Sequence, residues 1–234
     1  MVFNGEAIAD SCAVKMLHET EHLPVYYFHE GDVRWELLDP SDHITSSPVK
    51  GEARYWTVRV RGRTAENAVW SYPQPIEGCP LPPGHMAFAW GAMDPWHKED
   101  EEVFVHPRDP YHRIDNLRSS RRVRIIIGGE VVAETSRPRL LLETGLPVRY
   151  YIPEADVQRV HLRPSEKHTR CPYKGEARFY SVEAGGKVER DLAWFYPSPS
   201  RDAVGVEGCI CFFNEQVGLE VDDVRQPRPT TRWS

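Results

Sequence analysis

The chain has 234 residues, with 29 Lys and Arg against 35 Asp and Glu and a net charge of −6. That length holds one large domain or two of ordinary size, and an acidic balance disfavours a phosphate-backbone partner, so no nucleic acid is predicted. Hydrophobic residues make up 40%, no apolar run nears the ~20 residues of a membrane helix, and the start of the chain lacks the basic-then-apolar order of a secretion signal, so a cytoplasmic protein with no membrane partner is predicted.

In chain order the local signals are mostly β. EGDVRWELL, Glu30–Leu38, holds at most a helical turn. ARYWTVRVRGRT, Ala53–Thr64, alternates and turns at Gly62. The stretch from residue 96 to 122 carries an acidic KEDEE at Lys98–Glu102 and then Pro107 and Pro110, which suppress regular structure. It is long for a plain connection, so it is expected to pack across both domains. VRIIIGGEVVAET places two β-branched runs around Gly128-Gly129, a hairpin signature. RPRLLLET, Arg137–Thr144, reads as a strand, PEADVQRV as another helical turn, and ARFYSVEAGGKV as a hairpin turning at Gly185-Gly186. The Pro-rich tail QPRPTTRWS, residues 226–234, is expected to be extended. With 20 prolines, 16 glycines and no long 3.6-residue period, the chain is predicted to be mainly β.

An internal repeat decides the organisation. GEARYW at Gly51–Trp56 returns as GEARFY at Gly175–Tyr180, a shift of 175 − 51 = 124 positions. At that same shift Glu19 meets Glu143, Tyr26-Tyr27 meets Tyr150-Tyr151, Pro40-Ser41 meets Pro164-Ser165, and Lys50 meets Lys174. Trp70, Tyr72 and Pro73 meet Trp194, Tyr196 and Pro197. A register that never slips marks a tandem duplication, with two domains of one fold. The domains are placed at 1–95 and 123–225, with a linker at 96–122 and a tail at 226–234. A monomer in which the halves form an internal pseudo-dimer is expected. The counterpart of Val123–Ile127 would fall largely before residue 1, so the first domain is expected to lack most of its first strand.

The segment from Pro147 to Pro199 is the most specific. It contains YYIPEADV, LRPSEKHTRCPYKGEARFY and AWFYPSP, and VFVHPRDPYHRID precedes it at Val103–Asp115. These motifs resemble the family called domain of unknown function 427, in particular its tandem-domain members, and the likeness covers nearly the whole chain. The resemblance implies a compact β fold of the β-tent, or Mss4-like, kind and no settled activity. The nucleotidyltransferase label sometimes attached to the family has no counterpart in these residues: there is no phosphate-cradling glycine loop before a helix and no paired-carboxylate metal motif. The first copy departs from the pattern, with Ser47, Val49 and His29 where the second has Cys171, Tyr173 and Pro153.

Four sets of candidate residues follow. The cysteines (Cys12, Cys79, Cys171, Cys209 and Cys211) form no Cys-x-x-Cys and share no position between copies, so neither a metal site nor disulfides are predicted. No cofactor is predicted either. Cys171 lies three residues before Lys174, which leaves open a reactive thiolate or a small buried filler. Lys50 and Lys174 occur in both copies, and two roles stay open: ion pairing to Glu19 and Glu143, or a ligand-facing amine. Tyr26, Tyr27, Trp70 and Tyr72 recur as Tyr150, Tyr151, Trp194 and Tyr196. One tyrosine of each pair should face the core, and the cluster is either plain core or an aromatic wall. Ser41, Ser165 and Tyr173 add hydroxyls nearby.

The favoured functional reading is a small-molecule binding protein with an aromatic, Lys-lined pocket, best formed in the second domain or at the domain interface. One alternative is an enzyme using Cys171 or Lys174 with Glu143. The other is a non-catalytic structural or protein-interaction module.

Overall fold

The computed structural model describes residues 1–19, 22–231 and 233–234. The chain divides into two compact units, Met1–Asp109 and Pro110–Ser234.

In the first unit the strands are β1 (Val2–Phe3), β2 (Glu6–Ala7), β3 (Lys15–Leu17), β4 (Val25–His29), β5 (Leu38–Ser47), β6 (Gly51–Val60), β7 (Arg63–Ser71), β8 (His85–Phe88), β9 (Trp96–Lys98) and β10 (Glu101–Val103). Six of them make one antiparallel sheet in the order β3-β4-β8-β7-β6-β5. The turn between β6 and β7 falls at Arg61 and Gly62, both in the left-handed region where a side chain is disfavoured and glycine is not. The segment read as a helical turn folds as two short 3₁₀ turns, Glu30–Asp32 and Trp35–Leu37, and a third lies at Trp90–Ala92.

The second unit carries β11 (Ile114–Arg118), β12 (Val123–Ile127), β13 (Glu130–Thr135), β14 (Arg139–Glu143), β15 (Arg149–Pro153), β16 (Leu162–Cys171), β17 (Gly175–Ala184), β18 (Lys187–Phe195), β19 (Cys209–Phe212), β20 (Gly218–Val221) and β21 (Val224–Arg225). Its main sheet runs β11-β14-β15-β19-β18-β17-β16, and a second sheet runs β13-β12-β20-β21. Every main-sheet strand of the first unit begins at the 124-residue shift from one in the second: β3 becomes β14, β4 becomes β15, and β8 becomes β19. The bulges recur as well, between Ser41 and Ile44 and between Pro164 and His168. The fold is mainly β with two tandem domains.

The stretch read as a linker is only partly irregular. Its prolines lie between strands, but Trp96–Lys98 and Glu101–Val103 pair as a hairpin, and Ile114–Arg118 joins the edge of the second unit's main sheet.

Each main sheet packs on both faces, because side chains alternate along a strand. In the second unit one core holds Val123, Ile125, Ile152, Leu192, Phe212 and Leu219, with Tyr150 against it. The opposite face holds Leu141, Tyr151, Phe179, Trp194, Tyr196 and Cys211. The first unit repeats the division, with Tyr26 against one core and Tyr27 in the other. Gly128 and Gly185 bring two hairpin turns into backbone contact, and a Cβ on Gly128 would lie 2.7 Å from the Gly185 Cα. No helix among the described residues is long and apolar enough to cross a membrane.

Candidate functional site

The two repeated lysines find the two repeated glutamates. Lys174 Nζ lies 2.5 Å from both carboxylate oxygens of Glu143, and Lys50 Nζ lies 2.5 Å from Glu19 Oε2. The side chains of Lys174 and Glu143 are only 11% and 6% exposed. Glu143 ends β14 and Lys174 sits in the turn from β16 to β17, so the pair ties distant segments of one sheet together. The second copy adds His112, whose Nε2 lies 3.0 Å from Glu143 Oε1 and whose ring stacks on Tyr173 at 4.1 Å. In the first copy Lys50 lies 5.4 Å from the Tyr72 ring centre instead.

A second repeated pair lies inside the adjoining core. Trp194 Nε1 donates to the Tyr151 hydroxyl at 3.1 Å, and Trp70 Nε1 reaches the Tyr27 hydroxyl at 3.4 Å. Tyr151 is 1% exposed, Tyr196 5% and Trp194 8%. Burial pushes the Tyr151 phenol well up. It pushes Tyr196 up too, aided by the neighbouring Cys171, Glu143 and Cys211 groups and opposed by the hydrogen bond with Tyr151. In the first copy burial raises Tyr27 and takes Tyr72 to about 12. Hydroxyls of this kind stay neutral at physiological pH and serve as hydrogen-bond partners, not bases.

The remaining predicted residues scatter around this centre. Tyr150 and Tyr26 face the opposite core, and Tyr26 stacks on Trp96 at 5.9 Å. Ser165 donates to Asp191 and Ser41 to Asn67, each at 2.5 Å, and each fastens a bulged edge strand to the left-handed residue on β18 or β7. Cys171 is half-buried opposite Gly175 at the end of β16. Burial pushes the Cys211 thiol up to about 12 and Cys209 upward, which makes both poor nucleophiles. All five cysteines are free, and among the described residues no group of three His, Cys, Asp or Glu side chains is placed to hold a metal.

Sequence reasoning missed one strong feature. Arg149 and Glu215 form a buried two-point ion pair, with both contacts at 2.7 Å. The guanidinium lies 5.6 Å from the Trp194 ring, 5.9 Å from Phe213 and 5.5 Å from Trp233. Thr231 donates to Glu215 at 2.6 Å, so the tail closes over the pair. Burial alone would raise the Glu215 carboxyl, but the hydrogen bonds from Arg149 and Thr231 outweigh it and hold it below its usual value. The first copy has Val25 and Gly91 at these positions, and a comparison limited to shared residues passes over such a pair. His112 was missed for a related reason, since the shift gives it no counterpart.

The repeat agrees with one comparison. A family model described as a domain of unknown function, DUF427, matches residues 1–99 and again 115–223. The chain belongs to this family. The two matches make it a tandem DUF427 protein, and they fall on the two strand sets related by the 124-residue shift. No curated protein matches the chain.

Proposed function

We propose that this tandem DUF427 protein is a non-catalytic interaction module, in which the repeated lysines, glutamates and aromatics hold each domain's sheet and the function lies on the surface. On this reading each domain is a β-tent-like, Mss4-like scaffold. One observation carries it: the Lys–Glu and Trp–Tyr pairs recur at identical separations of 31 and 43 residues, and in the second copy both are buried. A catalytic lysine needs room for a substrate at Nζ, whereas Lys174 Nζ is occupied by both oxygens of one carboxylate. Buried tyrosines and tryptophans packed on one another supply cohesion and leave little open wall. Competitive acetylation with mass mapping tests the reading. Lys174 should be modified more slowly than exposed Lys15, Lys98 and Lys187. A Lys174 that outpaces them would overturn the reading in favour of a reactive amine.

A second reading keeps the favoured expectation from sequence, a small molecule held near Lys174 in the second domain. His112 and Tyr173 favour it, because they border the ion pair only there and His112 is 18% exposed. Its test is the His112 imidazole resonance during titration with inorganic phosphate. A saturable shift would support the reading, and an unmoved resonance would end it.

A further inference from the structure

The two main sheets differ by one strand. In the second domain β14 is flanked by β15 and β11, whereas in the first domain β3 is the sheet's edge and, among the described residues, pairs with β4 alone. The strand β11 fills a notch between β14 and the 3₁₀ turn Arg201–Val206. Asn116 Nδ2 donates to the Asp202 carbonyl at 2.6 Å, and a Cβ on Gly205 would lie 2.8 Å from the Asn116 Cβ. Ile114 packs against the core that holds Leu141.

The 124-residue shift carries β14 onto β3 and Arg201–Val206 onto residues 77–82. There the same notch is an open groove of about 420 Å³, lined by Lys15, Met16, Leu17, His18, Pro80, Leu81 and Pro82. Its floor is ready-made, since Leu17 and Leu81 are 8% and 3% exposed. His18 at the groove's rim pairs with Asp109 at 3.6 Å, and among the described residues no strand pairs with the outer edge of β3. An open strand edge over an apolar floor is the arrangement that accepts an added strand, with main-chain hydrogen bonds for affinity and alternate side chains for choice.

We propose that this groove seats an extended peptide strand of a partner protein, added antiparallel to β3 as β11 is added to β14. The partner carries an apolar residue in the place of Ile114, which the shift sets opposite Glu19 and diagonal to Leu17, and an acidic residue opposite Lys15. The charge follows from register. Arg118 lies opposite Arg139 in the second domain, and the shift puts exposed Lys15 at Arg139's place. Like charges directly opposite destabilise a strand pair and opposite charges stabilise it. This surface rests on the interaction reading above and gives it a site and a partner chemistry.

The test uses the full chain and two peptides spanning residues 111–119, one native and one with Arg118→Glu. Amide hydrogen exchange and chemical shifts locate binding. The expected result is protection at Lys15–Leu17, with the Arg118→Glu peptide bound about two- to fivefold more tightly than the native one. The Lys15→Glu chain should reverse that preference. Three results would overturn the proposal: no change at β3 with millimolar peptide, a preference that ignores residue 15, or protection of β3 by self-association of the chain without peptide. None of them alters the order of acetylation of Lys174 against Lys98 and Lys187, which lie outside the groove, so this surface and the interaction reading fail separately.

Discussion

The ammonium of Lys174 reaches both carboxylate oxygens of Glu143, and Lys50 reaches one oxygen of Glu19 at the matching position of the other domain. Removing one partner of a buried pair strands the other charge, and this costs far more than the pair contributes over an apolar replacement. That asymmetry ties the two members of each pair together within their domain.

The Trp–Tyr bonds are expected to be unequal. Tyr151→Phe leaves the buried Trp194 Nε1–H without its Tyr151 acceptor, at a cost of about 1–3 kcal/mol. Tyr27→Phe should cost less, because its bond to Trp70 is longer, at 3.4 Å, and Trp70 is half-buried. Urea unfolding of the two variants, followed by tryptophan fluorescence, checks the order.

Acid should act on the second domain through Glu215. Its folded carboxyl sits below the ordinary value of 4.5. A depressed acid stabilises the fold fully above its unfolded pKa and loses that contribution as pH falls through the folded one. Urea midpoints of the native chain should therefore drop below about pH 4.5, with Glu215 supplying part of the fall. The double variant Arg149→Met, Glu215→Gln should show a shallower fall over the same range. An unchanged slope would remove Glu215 from the account.

Thiol reactivity should follow burial. Cys12 is exposed, whereas Cys209 and Cys211 are buried with raised thiol pKa values. Maleimide labelling of the native chain should reach Cys12 first and Cys211 only on unfolding. Fast labelling of Cys211 would show a core that opens.

Much of this was legible in the sequence because duplication made each signal appear twice. The strands, the hairpin turns at Gly62 and Gly185, and the facing of Tyr150 against Tyr151 follow from alternation and turn chemistry. The sequence leaves two roles open for Lys174, and the structure shows the contact with Glu143 that one of them names. What occurs once stayed hidden. His112 and Arg149 have no twin, and the Glu215 partner of Arg149 lies 66 residues away. The edge strand β11 lay in a stretch whose prolines signalled irregular chain, because pairing to β14 is a tertiary event that local propensity does not encode.

The most direct test of the central claim is a double-mutant cycle on Lys174→Met and Glu143→Gln, measured by equilibrium urea unfolding. Lys174→Met alone should cost about 3–5 kcal/mol, and adding Glu143→Gln should recover a large part of the loss. Additive effects, or a Lys174→Met chain as stable as the native one, would contradict a fold-holding pair.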